Sequence, residues 1–348
     1  MPFRQSIHLV GSVPLKDTEA VFRALAERLG PRAPRYPDGE TGARTNWIRW
    51  QQHIFEDNPA FELVAQQSDF VTIRDKLARP FYRLRPEASA DSITFNVLGF
   101  ANEAIKSYAI FDRLKQEGVI PQRTRFQVSL PTVVAILSGF VLLEDRARAE
   151  SALDAAMTRE VAAIAAAIPH RELAVQWDIC LELVGYDGGF PLHLTNILSD
   201  SVDRIVRQIA LVPEDVEVGV HLCYGDPGHT HIVEPRDTRS CVTFANAIAA
   251  GLSRSLDWLH LPIARDWTES KYYEPLADLA LPTDTEIYLG LIHLSDGQDG
   301  AERRRVIATQ FVPQFGIATE CGFGRRDPST IAPLLDLHRH ASGAVDLG

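Results

Sequence analysis

Ser6-Ile7-His8-Leu9-Val10-Gly11-Ser12-Val13-Pro14 is the stretch on which the fold turns. Ser6–Gly11 reads as a first strand, and Asp17–Leu29 beyond it as a helix, with an acidic first turn and Gly30 as its C-cap. An open, doubly wound nucleotide-binding sheet carries a glycine-rich phosphate loop at this turn. Gly11-Ser12-Val13-Pro14 is no such loop, so the competing α/β architecture is favoured: a (β/α)8 TIM barrel.

The rest of the chain repeats a short apolar run, a turn and a helical stretch. Further candidate strands are Arg35–Asp38, Ser92–Leu98, Arg125–Ser129, Leu173–Asp178, Val216–Leu222, Leu256–Leu261, Glu286–His293 and Gly316–Thr319. Helical patterns cover Ala147–Ala167, Ser199–Leu211 and Cys241–Leu252. Alternating strands and helices imply a parallel sheet. Nine strands are one too many for the barrel, and Arg35–Asp38 and Ser92–Leu98 have the weakest patterns. The chain has 348 residues, a size that barrels reach as one domain, so a single domain over residues 1–348 is expected.

A net charge of −11 argues against nucleic-acid and anionic-membrane partners, which favour a basic face. The four cysteines, Cys180, Cys223, Cys241 and Cys321, lack the spacing of a disulfide framework and suit a reducing compartment. No run of apolar residues is long enough for a membrane span, and the first residues do not form a signal peptide. A cytoplasmic location is therefore expected.

Barrel enzymes carry their reactive side chains at the C-terminal ends of the strands. Val216-Glu217-Val218-Gly219-Val220 leads directly into His221-Leu222-Cys223. Residues two apart on a strand share a face, so His221 and Cys223 can approach one ion together. Cys321 follows another apolar run, Gly316-Ile317-Ala318-Thr319. One imidazole and two thiolates form a soft set suited to zinc, with a fourth position left open. The blander alternative is that the histidine and the cysteines are packed structural residues. Cys180 and Cys241 are read as structural, Cys241 inside a helical apolar pattern.

Seven short motifs, in order along nearly the whole chain, resemble the C-terminal catalytic domain of cobalamin-independent methionine synthase, in the barrel superfamily that also holds uroporphyrinogen decarboxylase. They are Val10-Gly11-Ser12, Asp38-Gly39-Glu40 followed by Arg44, Leu130-Pro131-Thr132, Val175-Gln176-Trp177-Asp178, His221-Leu222-Cys223-Tyr224, Leu291-Ile292-His293 and Thr319-Glu320-Cys321-Gly322. The resemblance implies that His221, Cys223 and Cys321 bind zinc. It implies that Ser12, Glu40 and Asp178 hold an amino-acid substrate, with the carboxylates facing its ammonium group. It gives His293 the role of proton donor or relay, catalytic together with Asp178. Alternatively, Glu40 is a solvated loop residue, Asp178 a helix N-cap and His293 a packed residue.

The chain departs from the family in three places. Where the family has a glutamate zinc ligand, Trp258-Leu259-His260-Leu261-Pro262 offers Leu261 or Pro262, with His260 expected to alternate to the wrong face. The resulting His/Cys/Cys set is similar to that of thiol alkyltransferases in the same superfamily. The family's D-E-P stretch is here Asp178-Ile179-Cys180. The separate N-terminal domain of full-length methionine synthases is missing, which argues against a polyglutamyl-folate donor.

Among other features, His229 and His231 are candidates for a fourth ligand. Tyr186-Asp187-Gly188-Gly189 reads as a turn and Arg303-Arg304-Arg305 as a solvated helix face. Trp47 and Trp50, at i,i+3, read as packing residues on one helix face, with an aromatic wall near Glu40 that shapes the pocket as the alternative. The expected function is a zinc-dependent methyl or alkyl transferase acting on a thiol or thioether. Its expected partners are a small thiol or amino acid and, as one candidate methyl donor, a methylated corrinoid protein. The alternatives are a divergent zinc-dependent lyase or hydrolase on the same barrel, and a non-catalytic small-molecule binder.

Overall fold

A computed structural model describes residues 5–64, 80–89, 92–227 and 230–343. Its strands are β1 (Arg35–Pro37), β2 (Phe61–Val64), β3 (Phe81–Leu84), β4 (Arg125–Pro131), β5 (Leu173–Ile179), β6 (Glu217–Leu222), β7 (Trp258–Pro262), β8 (Glu286–Ile292) and β9 (Gly316–Thr319). Its helices are α1 (Thr18–Arg28), α2 (His53–Glu56), α3 (Phe100–Gln116), α4 (Val133–Phe140), α5 (Leu143–Ala167), α6 (Leu181–Tyr186), α7 (Ile197–Ile209), α8 (Arg239–Gly251), α9 (Gly297–Ala308) and α10 (Ile331–Ala341). Seven strands form one parallel sheet in the order β1-β4-β5-β6-β7-β8-β9, and β2 and β3 pair separately as antiparallel strands.

Every residue of β5 and β7 is buried, as expected of parallel strands covered on both faces. The helices show why their sequences choose that state. The side chain of Asp17 caps α1, accepting from the amide of Ala20 at 2.8 Å, and the helix turns Val21, Phe22 and Leu25 inward. The helices expected over Ala147–Ala167, Ser199–Leu211 and Cys241–Leu252 are α5, α7 and α8, each beginning two to four residues earlier. Among the described residues, no helix is long and apolar enough to cross a membrane.

Two expected strands turn out differently. Ser6–Gly11 forms no regular ladder. The chain here makes isolated parallel bridges, Ile7 with Ile317 of β9 and Ser12 with Gly39 just beyond β1. It therefore reaches both edges of the seven-stranded sheet. Side chains from inside the sheet engage its carbonyls: Gln127 donates to Leu9 O at 2.9 Å and Val10 O at 3.0 Å, and Gln176 to Val10 O at 2.6 Å.

Ser92–Leu98 is not a strand. Ile93, Phe95 and Leu98 are buried while Thr94 and Asn96 face outward, which is strand-like alternation without a strand partner. A helix receives this segment instead. Glu160 of α5 accepts from the amides of Leu98 (2.8 Å), Gly99 (3.1 Å) and Ala101 (2.6 Å), and Arg159 donates to Phe95 O. Arg304 also departs from the expected solvated face. It is 1% exposed and donates to Leu291 O, Arg265 O and both oxygens of Asp296, tying α9 to the end of β8.

Candidate metal centre

His221 and Cys223 stand at the C-terminal end of β6, on the same face as Gly219. A Cβ at Gly219 would lie 2.0 Å from the ring of Trp258, so only glycine leaves room for the indole beneath the pair. Cys321 stands two residues beyond β9, where Thr319 Oγ1 donates to Cys321 O at 2.7 Å. One donor atom from each of His221, Cys223 and Cys321 lies within 4.8 Å of the other two.

The protons around His221 can be placed from its neighbours. The parallel register sets His221 opposite His260 of β7. His260 Nε2 lies 3.0 Å from Thr319 O, which can only accept, so this nitrogen carries the hydrogen. Burial lowers the pKa of His260 to about 3, so the ring is neutral and its Nδ1 holds a lone pair. His221 Nδ1, 2.6 Å away, must then be the donor of the pair. Burial also keeps the His221 ring neutral. Its Nε2 is consequently a lone pair, buried and without a hydrogen-bond partner. A second buried ring fixing the tautomer of the first is the arrangement that surrounds a metal-binding imidazole. The expectation that His260 faces away is corrected: it shares the face of His221, because their positions are paired across parallel strands.

Both thiols have raised pKa values. Cys223 is held up by its hydrogen bond with the Cys180 thiol and by burial, Cys321 by the Cys223 thiol and by burial. Crowded thiols of this kind ionise readily only beside a cation. An unpartnered imidazole lone pair and two sulfurs fit zinc in donor type and spacing.

The cluster opens into a cavity of about 130 Å³ lined also by Ser12, Glu40, Trp47, Asp178, Cys180 and Arg325. Glu40 follows Gly39 (φ +83°) and itself has φ +47°, a left-handed conformation unusual for glutamate. Asp38 holds that turn, accepting from the Glu40 amide at 2.9 Å, from Arg44 at 2.8 Å and from Ser107 at 2.6 Å. Gly11 gives the Glu40 carboxylate its place, because a Cβ there would approach Oε1 to 2.9 Å. Burial, then the nearby Asp178 and Asp38, push the pKa of Glu40 up to about 8. Burial raises Asp178 to about 7 against hydrogen bonds from Gln176 and Trp47. Two carboxylates so placed are stabilised in ionised form by a cationic guest. Ser12 packs against the turn after Cys321, accepting from the amide of Gly324 at 3.2 Å.

His293 lies elsewhere. It lines a larger cavity, about 440 Å³, together with His231, Glu234, Asp266, Trp267 and Glu320. A small neck beside Cys223 and Cys321 is also lined by His293. Its Nε2 bonds to Ile263 O at 2.9 Å and its Nδ1 lies 3.6 Å from Glu320, while burial lowers its pKa. The structure thus brings together Ser12, Glu40, Asp178, His221, Cys223 and Cys321 and sets His293 on another side of the sulfur pair. His231 opposes burial through hydrogen bonds to Glu320 and Glu234, which hold its pKa up at about 9. Both its ring nitrogens are engaged by carboxylates, which removes it as a fourth ligand; His229 lies outside the described residues.

Cys180 enters this wall against expectation, and Trp47 enters it as the aromatic wall near Glu40, the alternative to core packing. Trp47 has φ +52°, and this break sends it to Asp178 while Trp50 packs edge-on against Phe100, so the two share no helix face. The sequence pointer to Cys180, its place two residues after Asp178, was visible; its neighbour across the sheet was not.

No protein-family model and no curated protein matches the chain. Solved structures do. A provisionally assigned vitamin-B12-independent methionine synthase from Listeria monocytogenes is 16% identical, with a TM-score of 0.59 over 98% of this chain and 97% of that one. A B12-independent methionine synthase from Shewanella sp. W3-18-1, in complex with selenomethionine, is 14% identical, with a TM-score of 0.62 over the same shares. The chain shares their fold. At these identities the likeness extends to architecture, consistent with the methionine synthase-like resemblance of the seven motifs.

Proposed function

We propose that the protein is a zinc-dependent methyl or alkyl transferase acting on a thiol or thioether, built as a single (β/α)8 barrel in which residues 6–12 stand in the place of the first strand. The observation that carries this reading is the convergence of His221, Cys223 and Cys321 within 4.8 Å, with His221 Nε2 left as a buried, unpartnered lone pair. His221, Cys223 and Cys321 would hold the zinc, which would supply the positive charge that keeps a substrate thiol ionised and nucleophilic near neutral pH.

The chain's own residues do the rest. Glu40 and Asp178 orient the substrate through its ammonium group, Ser12 lines the same wall, and Arg325 offers a guanidinium to a carboxylate. The selenomethionine bound by the Shewanella neighbour, an amino acid with a soft chalcogen, supports this class of guest. His293 exchanges a proton from the other cavity, where Glu320 faces its Nδ1. The donor is a methylated corrinoid protein, a small methylated compound or a methylfolate.

The test is elemental analysis of purified protein beside Cys223→Ser and Cys321→Ser, followed by a screen of amino-acid thiols with methyl donors. About one zinc per chain, lost in both variants, supports the reading. Metal and turnover surviving either substitution would sink it.

A further inference from the structure

Cys180 is the one thiol in the cavity that the proposed ligand set leaves idle. It caps the N-terminus of α6, one residue past the end of β5, and is 2% exposed. The register between β5 and β6 pairs Asp178 with His221 and Ile179 with Leu222. One step further along, the same register sets Cys180 beside Cys223, and the amide of Cys223 bonds to Ile179 O at 3.1 Å. Their side chains meet: the two thiols are hydrogen-bonded, and Cys180 lines the cavity onto which His221, Cys223 and Cys321 open.

The other neighbours offer nothing comparable. On the opposite side of β6, β7 places Pro262 in the row of Cys223, and proline has no side-chain donor. Asp178 is engaged by Gln176 and Trp47, and Glu320 by His231. Among the described residues, neither a carboxylate nor Cys180 stands within 4.8 Å of all three donors. Cys180 reaches the set through Cys223, and a thiol on a single rotatable bond has staggered positions from which a cation can select.

We propose that Cys180 is the fourth zinc ligand of the substrate-free protein, giving a His/Cys3 set in which three sulfurs come from the ends of β5, β6 and β9. This rests on the reading that the cluster binds zinc. Three thiolates and an imidazole form a complete tetrahedral shell with no oxygen donor.

The experiment is zinc K-edge X-ray absorption on the full chain as purified, with chelator competition on the wild type, Cys180→Ser and Cys180→Ala. Three sulfurs and one nitrogen in the wild type, two sulfurs in each variant and an affinity weakened about 100-fold or more would support the proposal; this loss exceeds the 10–100-fold typical of outer-shell partners. Two sulfurs in the wild type, with variants binding zinc as tightly, would overturn it and leave the three-ligand site standing. A wild type without zinc overturns both. Should the variants fail to fold, the wild-type sulfur count decides alone.

Discussion

The two ends of the sheet treat charge in opposite ways. At the N-terminal end, Arg35, Arg125, Glu217 and Glu286 are the first residues of β1, β4, β6 and β8, and all four are paired. Arg35 reaches Glu217 and Glu286 at 2.8 Å each, Arg125 reaches Glu217 at 2.7 Å, and the Arg35 guanidinium lies 4.2 Å over the Trp258 ring. At the C-terminal end, two carboxylates crowd each other, two thiols are pressed together and an imidazole nitrogen has no partner. Both ends belong to the same strands, so the difference is not one of scaffold. The paired groups hold the fold, and the unpaired groups around the cavity are those that the proposed guest would complete.

The contrast breaks first at the sulfurs. Cys223→Ser and Cys321→Ser each remove a ligand from one end only. Zinc content falls from about one per chain to background and thiol transfer is lost, while thermal stability without metal changes by about 1 kcal/mol or less. Metal analysis and calorimetry on the same samples check both halves.

Arg35→Met makes the reciprocal cut. It removes a nearly buried cation from two acidic partners, so stability falls by about 3 kcal/mol, read as a lower urea midpoint. Zinc affinity stays within a factor of about 3 of the wild type, because no metal-facing side chain moves. An equal loss of zinc affinity would mean that the two ends are coupled.

Much of the reactive end was legible in the sequence. Alternation along a strand is local, so His221 and Cys223 declared a shared face, and the apolar run before Cys321 marked a second strand end. The information that was not legible is lateral. The pairing of His221 with His260 and the continuation that brings Cys180 to Cys223 depend on register between strands some forty residues apart, which no local period encodes. Ser92–Leu98 shows the same limit from the other side. Its Ile93 and Phe95 alternate like a strand because the segment is extended and half-buried, the property that strand preference measures, while its last amide, that of Leu98, goes to Glu160 rather than to a sheet.

His260 turns the lateral pairing into a smaller, graded prediction. His260→Ala removes the acceptor that keeps the hydrogen on His221 Nδ1, so Nε2 no longer holds its lone pair in one tautomer. Zinc binding weakens about 10–100-fold in a chelator competition. His260→Gln, whose amide can accept from His221 and donate to Thr319 O, recovers most of that loss. Equal loss in both variants would reduce His260 to a packing residue.

The smallest expected effect is that of pH on the metal-free protein. Glu40 has a pKa of about 8 in the fold against 4.5 for a free glutamate. Between those values the folded state binds more protons than the unfolded chain, so stability falls as pH rises through this window and levels off above about 8. Paired carboxylates of the usual kind, with depressed pKa values, show the opposite sign. Glu40→Gln removes the charge that cannot be accommodated, so its melting temperature declines less between pH 5 and 8 than that of the wild type, a window set by the same pKa shift. An amino-acid guest should act in the same direction: its ammonium group stabilises the ionised carboxylate, so binding to the wild type tightens as pH rises toward 8 and the added tightening is smaller in Glu40→Gln. Identical pH profiles for variant and wild type would show that Glu40 is already paired and that the cavity is not waiting for a cation.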